Sequence, residues 1–545
     1  MHKLDLMKLY SKKRALIVDE FPDMRASIRR MLRSFGVEAI DVANDGNEAM
    51  SRCRETSYDI IVCDYSLGAG KNGQQILEEL RYTNSLKHHA IYILITAETT
   101  RSMVFGALEY KPDDYLAKPF TQAVLQKRLD KIVLEKLFFI HVYNALDNGE
   151  YDTAAKLCAK LATENRRYRL TALKMEGGAL LKCGDYNKAF ALYRDIMQQR
   201  RPEWALIGCA KALIGMGKWT SARTILNELI EHGSESLDVF DCIAEAEVAL
   251  GRNGVAQTML ELATIASPLG ILRQIRLAEV ATLNHDYFAA EKAYRRAIKL
   301  GVNSCYDSHE HSLGLARCLL SKEKNQDGNK SDLIKECQGV FTRIRKKYSD
   351  EEQVKLQTDL VEVKALAQDG EFEVASENCH KLYEQYLHAK EISPQLGLDM
   401  AAAFIGIDEL AQSCAVLEDL AARFADEPSV LSRIDALADE PVSSAAKANA
   451  AKINHDGKAL FEKGEFDRAI QLFKRAVTRY PNNVALKLNL VLAMLESAKS
   501  NDKKSGTIEK ARQLLASLDG MSNEHSDYQR YISLSKEFDK LGNAA

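Results

Sequence analysis

Proline, tryptophan and paired cysteines are what this chain has least of: 9 prolines and 2 tryptophans in 545 residues, and no Cys-x-x-Cys pair among 11 cysteines. Cysteines standing singly (Cys53, Cys63, Cys158, Cys183, Cys209 and onward) give no paired metal or redox motif; they fit reduced thiols packed as small apolar groups. The formal net charge of −3 gives no general case for nucleic acid or an anionic membrane as partner. No apolar run approaches the ~18–20 residues that cross a bilayer, so no membrane span is expected. The opening Met1-His2-Lys3-Leu4-Asp5-Leu6-Met7 carries an acid and no small-residue cleavage site. It does not read as a secretion signal, and a cytoplasmic location is expected. A Walker loop, a histidine-kinase ATP site and a DNA-reading helix-turn-helix pattern are all missing.

What is present falls into two stretches of different period. Up to about residue 122, short apolar runs alternate with amphipathic ones: helices are expected over Pro22–Phe35, 46–56, Gly73–Tyr82 and 101–109, with a fifth opening at Phe120. That alternation implies βαβ units and a parallel sheet covered on both faces. Four apolar runs each deliver a polar group at the carboxyl end, where sites assemble in such sheets. Arg14-Ala15-Leu16-Ile17-Val18 ends in Asp19-Glu20, and Ile60-Ile61-Val62-Cys63 in Asp64. Ile91-Tyr92-Ile93-Leu94-Ile95 ends in Thr96-Ala97, and Asp114-Tyr115-Leu116-Ala117 in Lys118-Pro119. An acid pair, a lone Asp, a Thr and a Lys in that order suit phosphoryl transfer.

After Phe120 the strand signals stop and helical spacing takes over. No Gly/Ser/Pro linker intervenes, so the halves are expected to be coupled, with any signal passing along the helix from Phe120 toward Gly149-Glu150-Tyr151. From there on, a Gly is followed two positions later by an aromatic and five positions later by Ala: Gly149/Tyr151/Ala154, Gly184/Tyr186/Ala189, Gly217/Trp219/Ala222. Gly251 with Ala256 lacks the aromatic, and Tyr287 with Ala290 has His285 in place of the Gly. Successive steps from 149 through 184, 217, 251 and 285 are 35, 33, 34 and 34 residues. Later copies are Gly370/Phe372/Ala375, Gly406 with Ala411, Gly464/Phe466/Ala469 and Gly506 with Ala511. A period near 34 is the length of a two-helix repeat. Gly permits the turn between helices, the aromatic fills the groove between them, and Ala allows close packing.

The first stretch resembles the receiver domain of two-component response regulators over residues 12–125. The resemblance rests on Leu16-Ile17-Val18-Asp19-Glu20 with Arg25, Val62-Cys63-Asp64, Leu94-Ile95-Thr96-Ala97 and Asp114-Tyr115-Leu116-Ala117-Lys118-Pro119-Phe120. The second stretch resembles tetratricopeptide repeats over roughly 138–540, in nine or ten units. The implied architecture is a flavodoxin-like (βα)5 receiver, then an α-solenoid: receiver 12–125, connecting helix 126–148, solenoid segments 149–437 and 451–540, with a joint at 438–450. The receiver resemblance makes Asp64 the phosphoacceptor, Thr96 and Lys118 the groups that meet the phosphoryl oxygens, and Tyr115 the aromatic switch. Asp19, Glu20 and Asp64 can hold one Mg²⁺, with the carbonyl of Ser66 completing the ligands by the resemblance; Lys118 before Pro119 is a candidate cis peptide. Glu20 replaces the commoner Asp, and Gly68 stands where Pro is usual.

The implied role is a response regulator, not a metabolic enzyme. A histidine kinase or phosphotransfer protein supplies the phosphoryl group, and the repeats bind a protein partner. A homodimer through the fourth helix, fifth strand and fifth helix of the receiver is one output open to it. The alternative is a phosphate sink, or a scaffold docked to a sensor kinase through the repeats. The pair His309/His311 faces different ways on a helix and does not read as a metal site. The basic runs 166–169 and 343–347 read as solvated helix faces.

Overall fold

The computed structural model describes residues 3–97, 106, 109–322, 330–500, 505–519, 521 and 525–542. The helix expected over 101–109 and the polar insertion at 321–330 fall largely outside these. The chain divides into two compact units, residues 1–318 and 319–545.

The first unit opens with a five-stranded parallel sheet of β1 (Arg14–Val18), β2 (Ala39–Ala43), β3 (Ile60–Asp64), β4 (Ile91–Thr96) and β5 (Asp114–Ala117). Its strand order is β2-β1-β3-β4-β5, the flavodoxin-like order. Helices α1 (Lys3–Tyr10), α2 (Pro22–Phe35), α3 (Gly46–Glu55), α4 (Gly73–Tyr82) and α5 (Gln122–Phe138) accompany it. Strand side chains alternate between two cores, as a period of two requires. Ile17, Val62, Ile93 and Ile95 pack with Ile28, Leu32, Leu125 and Leu129 of α2 and α5. Leu16, Val18, Cys63 and Leu94 pack with Met50, Ile76, Leu77 and Leu80 of α3 and α4.

Two elements were not located from the residues. Strand β2 reads Ala-Ile-Asp-Val-Ala and is half-exposed at the sheet edge, so it lacks the continuous apolar run of a central strand. Helix α1 precedes β1; its Tyr10 is buried, and the hydroxyl donates to Asp130 Oδ1 at 2.8 Å.

The stretch 126–148, expected as one connecting helix, is two. Helix α5 ends at Phe138, and a new helix runs Ile140–Asp147. Leu129 and Val133 belong to the receiver core, whereas Val142 and Ala145 join the core of the repeats. Phe139 at the break is fully buried in that second core, so burial of an aromatic fixes the bend.

Helix pairs come next along the chain: Ile140–Asp147 with Tyr151–Glu164, Arg169–Cys183 with Tyr186–Gln199, Glu203–Gly215 with Trp219–Glu231, Leu237–Ala249 with Asn253–Ala266, and Ile271–Leu283 with Tyr287–Gly301. The repeat's alanines, Ala154, Ala189, Ala222, Ala256 and Ala290, are all 0% exposed, which is why no larger residue stands there. Gly149, Gly184, Gly217 and Gly251 turn with φ of 71–79°, and His285 takes the same left-handed conformation at φ 57° where glycine is absent. The ring of Tyr186 lies against Gly215 of the next repeat, where a Cβ would come within 2.4 Å of it.

The second unit holds further pairs, Glu352–Asp369 with Phe372–Leu387, Pro394–Gly406 with Leu410–Arg423, Ser444–Glu462 with Phe466–Arg479, and Val484–Ser500 with Ser505–Ala516. Gly370 and Gly464 keep the left-handed turn, and Ala375 and Ala469 are fully buried. Three expectations are corrected. Phe372 is 55% exposed and fills no groove. The copy assigned to Gly406 and Ala411 is shifted by two: Asp408 has the left-handed φ of 64°, and buried Ser413 takes the alanine's place. Ser413 N donates to Glu409 O as Ala469 N does to Glu465 O, so the turn geometry, not the glycine, marks the register. The joint expected at 438–450 is shorter: one hydrophobic cluster ends at Ala438, and the helix Ser444–Glu462, whose Ala446 and Ala450 open the next cluster, begins inside that stretch. Among the described residues no helix is long and apolar enough to cross a membrane.

Candidate phosphoryl-transfer site

The strand order reverses between β1 and β3, and their carboxyl ends frame the crevice that such sheets use for ligands. Asp19 sits one residue past β1 and is 0% exposed. Its Oδ1 accepts from the N–H of Phe21 at 2.8 Å, which leaves Oδ2 for the pocket. The Arg25 guanidinium ties this turn down by donating to the carbonyls of Asp19 and Glu20 at 2.6 and 3.0 Å.

Asp64 is the last residue of β3 and is 6% exposed. The next residue is held to β4 by Tyr65 N donating to Ile95 O at 2.7 Å. A Cβ on Gly73 would stand 2.2 Å from the Asp64 carbonyl, so only glycine lets α4 start this close to the site. The helix is fastened there by a capping box between Asn72 and Gln75. Neither feature was read from the sequence; the tripeptide Asn72-Gly73-Gln74 with Gln75 was the available signal.

Thr96 ends β4 and is 3% exposed. Lys118 N donates to Thr96 O at 2.7 Å, and the Lys118–Pro119 bond is cis, as expected. The ammonium reaches across the sheet edge to both acids: Nζ is 3.0 Å from Asp19 Oδ2 and 2.9 Å from Asp64 Oδ2. Tyr115 is half-buried on β5, paired in register with Leu94. Glu20 and Ser66 are exposed on the rim. The Glu20 carboxylate lies over Gly68, where a Cβ would come within 3.1 Å of Oε2. Gly68 has φ 70°, a conformation proline cannot take.

The structure thus brings Asp19, Asp64 and Lys118 into direct contact, with Thr96 at the adjoining strand end. Among the described residues no group of three His, Cys, Asp or Glu side chains is arranged around a metal position. The donors expected for Mg²⁺ are nevertheless all hard oxygens, which suits that ion. Burial pushes the Asp64 carboxyl above its ordinary range, the charge of Asp19 adds to this, and Lys118 opposes it. Burial pulls Lys118 down, but hydrogen bonds and charge from Asp64 and Asp19 outweigh it, so its ammonium is held above the usual value. The pocket holds two carboxylates against one ammonium, so an electrophile with anionic oxygens would need a further cation there to offset the excess negative charge.

Comparison with known proteins identifies the two stretches of the chain. Residues 15–130 match the response regulator receiver domain, and residues 456–518 match a tetratricopeptide repeat. The chain is 35% identical over 117 residues to chemotaxis protein CheY-3 of Vibrio cholerae serotype O1, spanning 22% of this chain and 88% of that protein. It is 33% identical to chemotaxis protein CheY of Pseudomonas aeruginosa, again over 22% of this chain and 93% of the relative. Among solved structures, chemotaxis response regulator CheY4 of Vibrio cholerae aligns at 22% identity over 22% of this chain and 98% of its own, with TM-score 0.21. Response regulator protein TrrA from Thermotoga maritima, solved with Mg²⁺ and a beryllium fluoride, aligns at 28% identity over 22% and 98%, with TM-score 0.20. The chain belongs to the response regulators: a receiver domain followed by tetratricopeptide-type repeats.

Proposed function

We propose that the receiver takes a phosphoryl group onto Asp64 from a histidine kinase or phosphotransfer protein, and that the repeats convey the phosphorylated state to a protein partner. The observation that carries this is the Lys118 ammonium lodged between two buried carboxylates at the sheet's carboxyl edge. In the reaction an Asp64 carboxylate oxygen attacks phosphorus, the phosphorus–nitrogen bond of the donor's phosphohistidine breaks, and the electron pair leaves with the imidazole. Lys118 pairs with the equatorial oxygens as their charge builds, and the Thr96 hydroxyl donates to one of them. Asp19, Glu20, Asp64 and the Ser66 carbonyl are the residues that would hold Mg²⁺, which supplies charge neutralisation when bound. Tyr115 is the ring whose position reports the change. The setting is the cytoplasm.

Acetyl phosphate with Mg²⁺ tests this, followed by intact mass and peptide mapping. One phosphoryl group on Asp64, lost in Asp64→Asn, is the expected result. A label on any other aspartate overturns the assignment.

A further inference from the structure

The loop that leaves Asp64 does not end in solvent. It is gripped by the turn after the fifth helix pair, residues 302–306, more than two hundred positions later. Lys71 Nζ donates to Asn303 O at 2.5 Å, and Asn303 Nδ2 returns a bond to Gly70 O at 3.1 Å. Gln75 Nε2 donates to Val302 O at 2.9 Å. Below them Ser304 Oγ bonds Glu78, and Cys305 Sγ points to the same carboxylate at 3.5 Å. Tyr82 and Tyr306 close the row edge to face, centroids 5.5 Å apart. All five receiver residues lie on the phosphorylation loop or on α4.

A second anchor lies beside the first. Arg273 is 7% exposed, holds Asp241 through two hydrogen bonds of 3.0 and 2.8 Å, and forms an ion pair with Glu109 of the receiver. Ser267 Oγ donates to Glu109 at 3.3 Å. The Glu109 carboxylate lies over Gly270, where a Cβ would come within 2.3 Å of it. A buried guanidinium shared by two acids on different domains is a costly thing to build as a passing contact. Glu78, 2% exposed, is likewise a carboxylate buried by this interface, with neutral donors around it.

We infer that the turn 302–306 is a clamp on the phosphorylation loop: the solenoid docks on the receiver through Asn303, Ser304 and Arg273, and phosphorylation of Asp64 and release of this docking are thermodynamically linked. The inference rests on the phosphoacceptor reading only for the linkage; the clamp itself stands on the contacts. The route differs from the one expected along α5 into the first repeat. Because linkage is reciprocal, a partner that binds the undocked solenoid also changes how readily Asp64 holds its phosphoryl group, and such couplings are typically ~5–150-fold. Docking on the face carrying Glu109 also competes with a homodimer formed through that face.

Site-resolved alkylation of Cys305 in the full chain is the test. Burial and Glu78 push this thiol up to about 12, so in the clamped protein it should alkylate at least tenfold more slowly than the exposed Cys183 and Cys414. Asn303→Gly keeps the left-handed turn (φ 67°) while removing the bond to Gly70; combined with Ser304→Ala it should bring Cys305 close to the exposed thiols. Beryllofluoride with Mg²⁺ should do the same in the unmutated chain. Cys305 reacting as fast as Cys183 in the untreated protein overturns the clamp. If beryllofluoride leaves Cys305 protected while acetyl phosphate labels Asp64, the linkage is overturned. Failure of acetyl phosphate to label Asp64, with Cys305 protected and released by the double variant, removes the phosphoacceptor reading and the linkage but leaves the clamp.

Discussion

The ring of Tyr193 fills the space that a side chain on Gly208 would need: a Cβ there would stand 2.3 Å from the ring carbon Cζ. Gly177 faces the same ring from the preceding helix, where an added Cβ would stand 2.3 Å from the hydroxyl oxygen. Tyr193 is 4% exposed and wedged between helices of successive repeats, so it has no room to yield. Gly208→Ala should therefore destabilise the repeats by about 1–3 kcal/mol through overpacking. Adding Tyr193→Leu should return part of the loss, because the smaller side chain relieves the clash. Urea unfolding of the full chain followed by helical dichroism measures both, and additive effects would count against the wedge.

At Gly184 the opposite situation holds. Its φ is 79°, and a Cβ would meet nothing within 4 Å. Gly184→Ala thus isolates the backbone cost of a left-handed turn, about 1–2 kcal/mol. Asp408 already bears that cost at φ 64°, so Asp408→Gly should gain several tenths of a kcal/mol once glycine's greater unfolded-state freedom is set against it. Thermal unfolding of the two variants should move in opposite directions.

These positions also show what the sequence discloses and what it hides. The receiver strands β1, β3 and β4 were legible because burial on both faces leaves a run of Ile, Leu and Val ending in a polar group, whereas β5, at the other sheet edge, was legible only from Tyr115-Leu116-Ala117 standing ahead of Lys118-Pro119. Strand β2 was not, because an edge strand needs no such run. Asp19, Asp64, Thr96 and Lys118 were legible from their places at strand ends. The two-residue shift at Asp408 was hidden because Asp enters the left-handed region more readily than most side chains do, while Gly406 nearby offered a decoy. The hydrogen bond from Lys71 to Asn303 joins residues 232 apart in two polar loops; no periodicity announces such a contact.

Removing Lys118 should be felt in stability as well as signalling. Lys118→Ala leaves Asp19 and Asp64 buried together with no ammonium between them, and without divalent cations the loss should be about 1–3 kcal/mol. Asp64→Asn removes one of the two like charges and should cost little or stabilise. Urea unfolding at pH 7 in chelator compares them. Equal losses in the two variants would mean that charge balance does not govern this pocket.

Docking of the solenoid on α4 should weaken as pH rises. Burial pushes the Glu78 carboxyl above its ordinary range, against hydrogen bonds from Ser304, Cys305 and Tyr110 and the charge of Lys71, all of which favour the ionised form. A carboxyl whose value is raised in the docked state binds its proton more tightly there. Its contribution to docking is therefore fully present below the ordinary glutamic acid value, near 4.5, and is lost as pH climbs through the raised one. Glu79 beside it is occupied by Lys71 at 2.8 Å; burial pushes Glu109 of the second anchor up as well, against Arg273 and Ser267, but Glu78 is the carboxyl bonded to the turn 302–306 itself. Glu78→Gln keeps an acceptor for Ser304 without a titrating proton and should flatten the profile. Hydrogen exchange over residues 302–306, divided by that of Glu78→Gln at each pH to cancel intrinsic chemistry, should rise from pH 4.5 upward. A ratio independent of pH would show that Glu78 keeps its burial when the solenoid leaves, and that its proton has no part in docking.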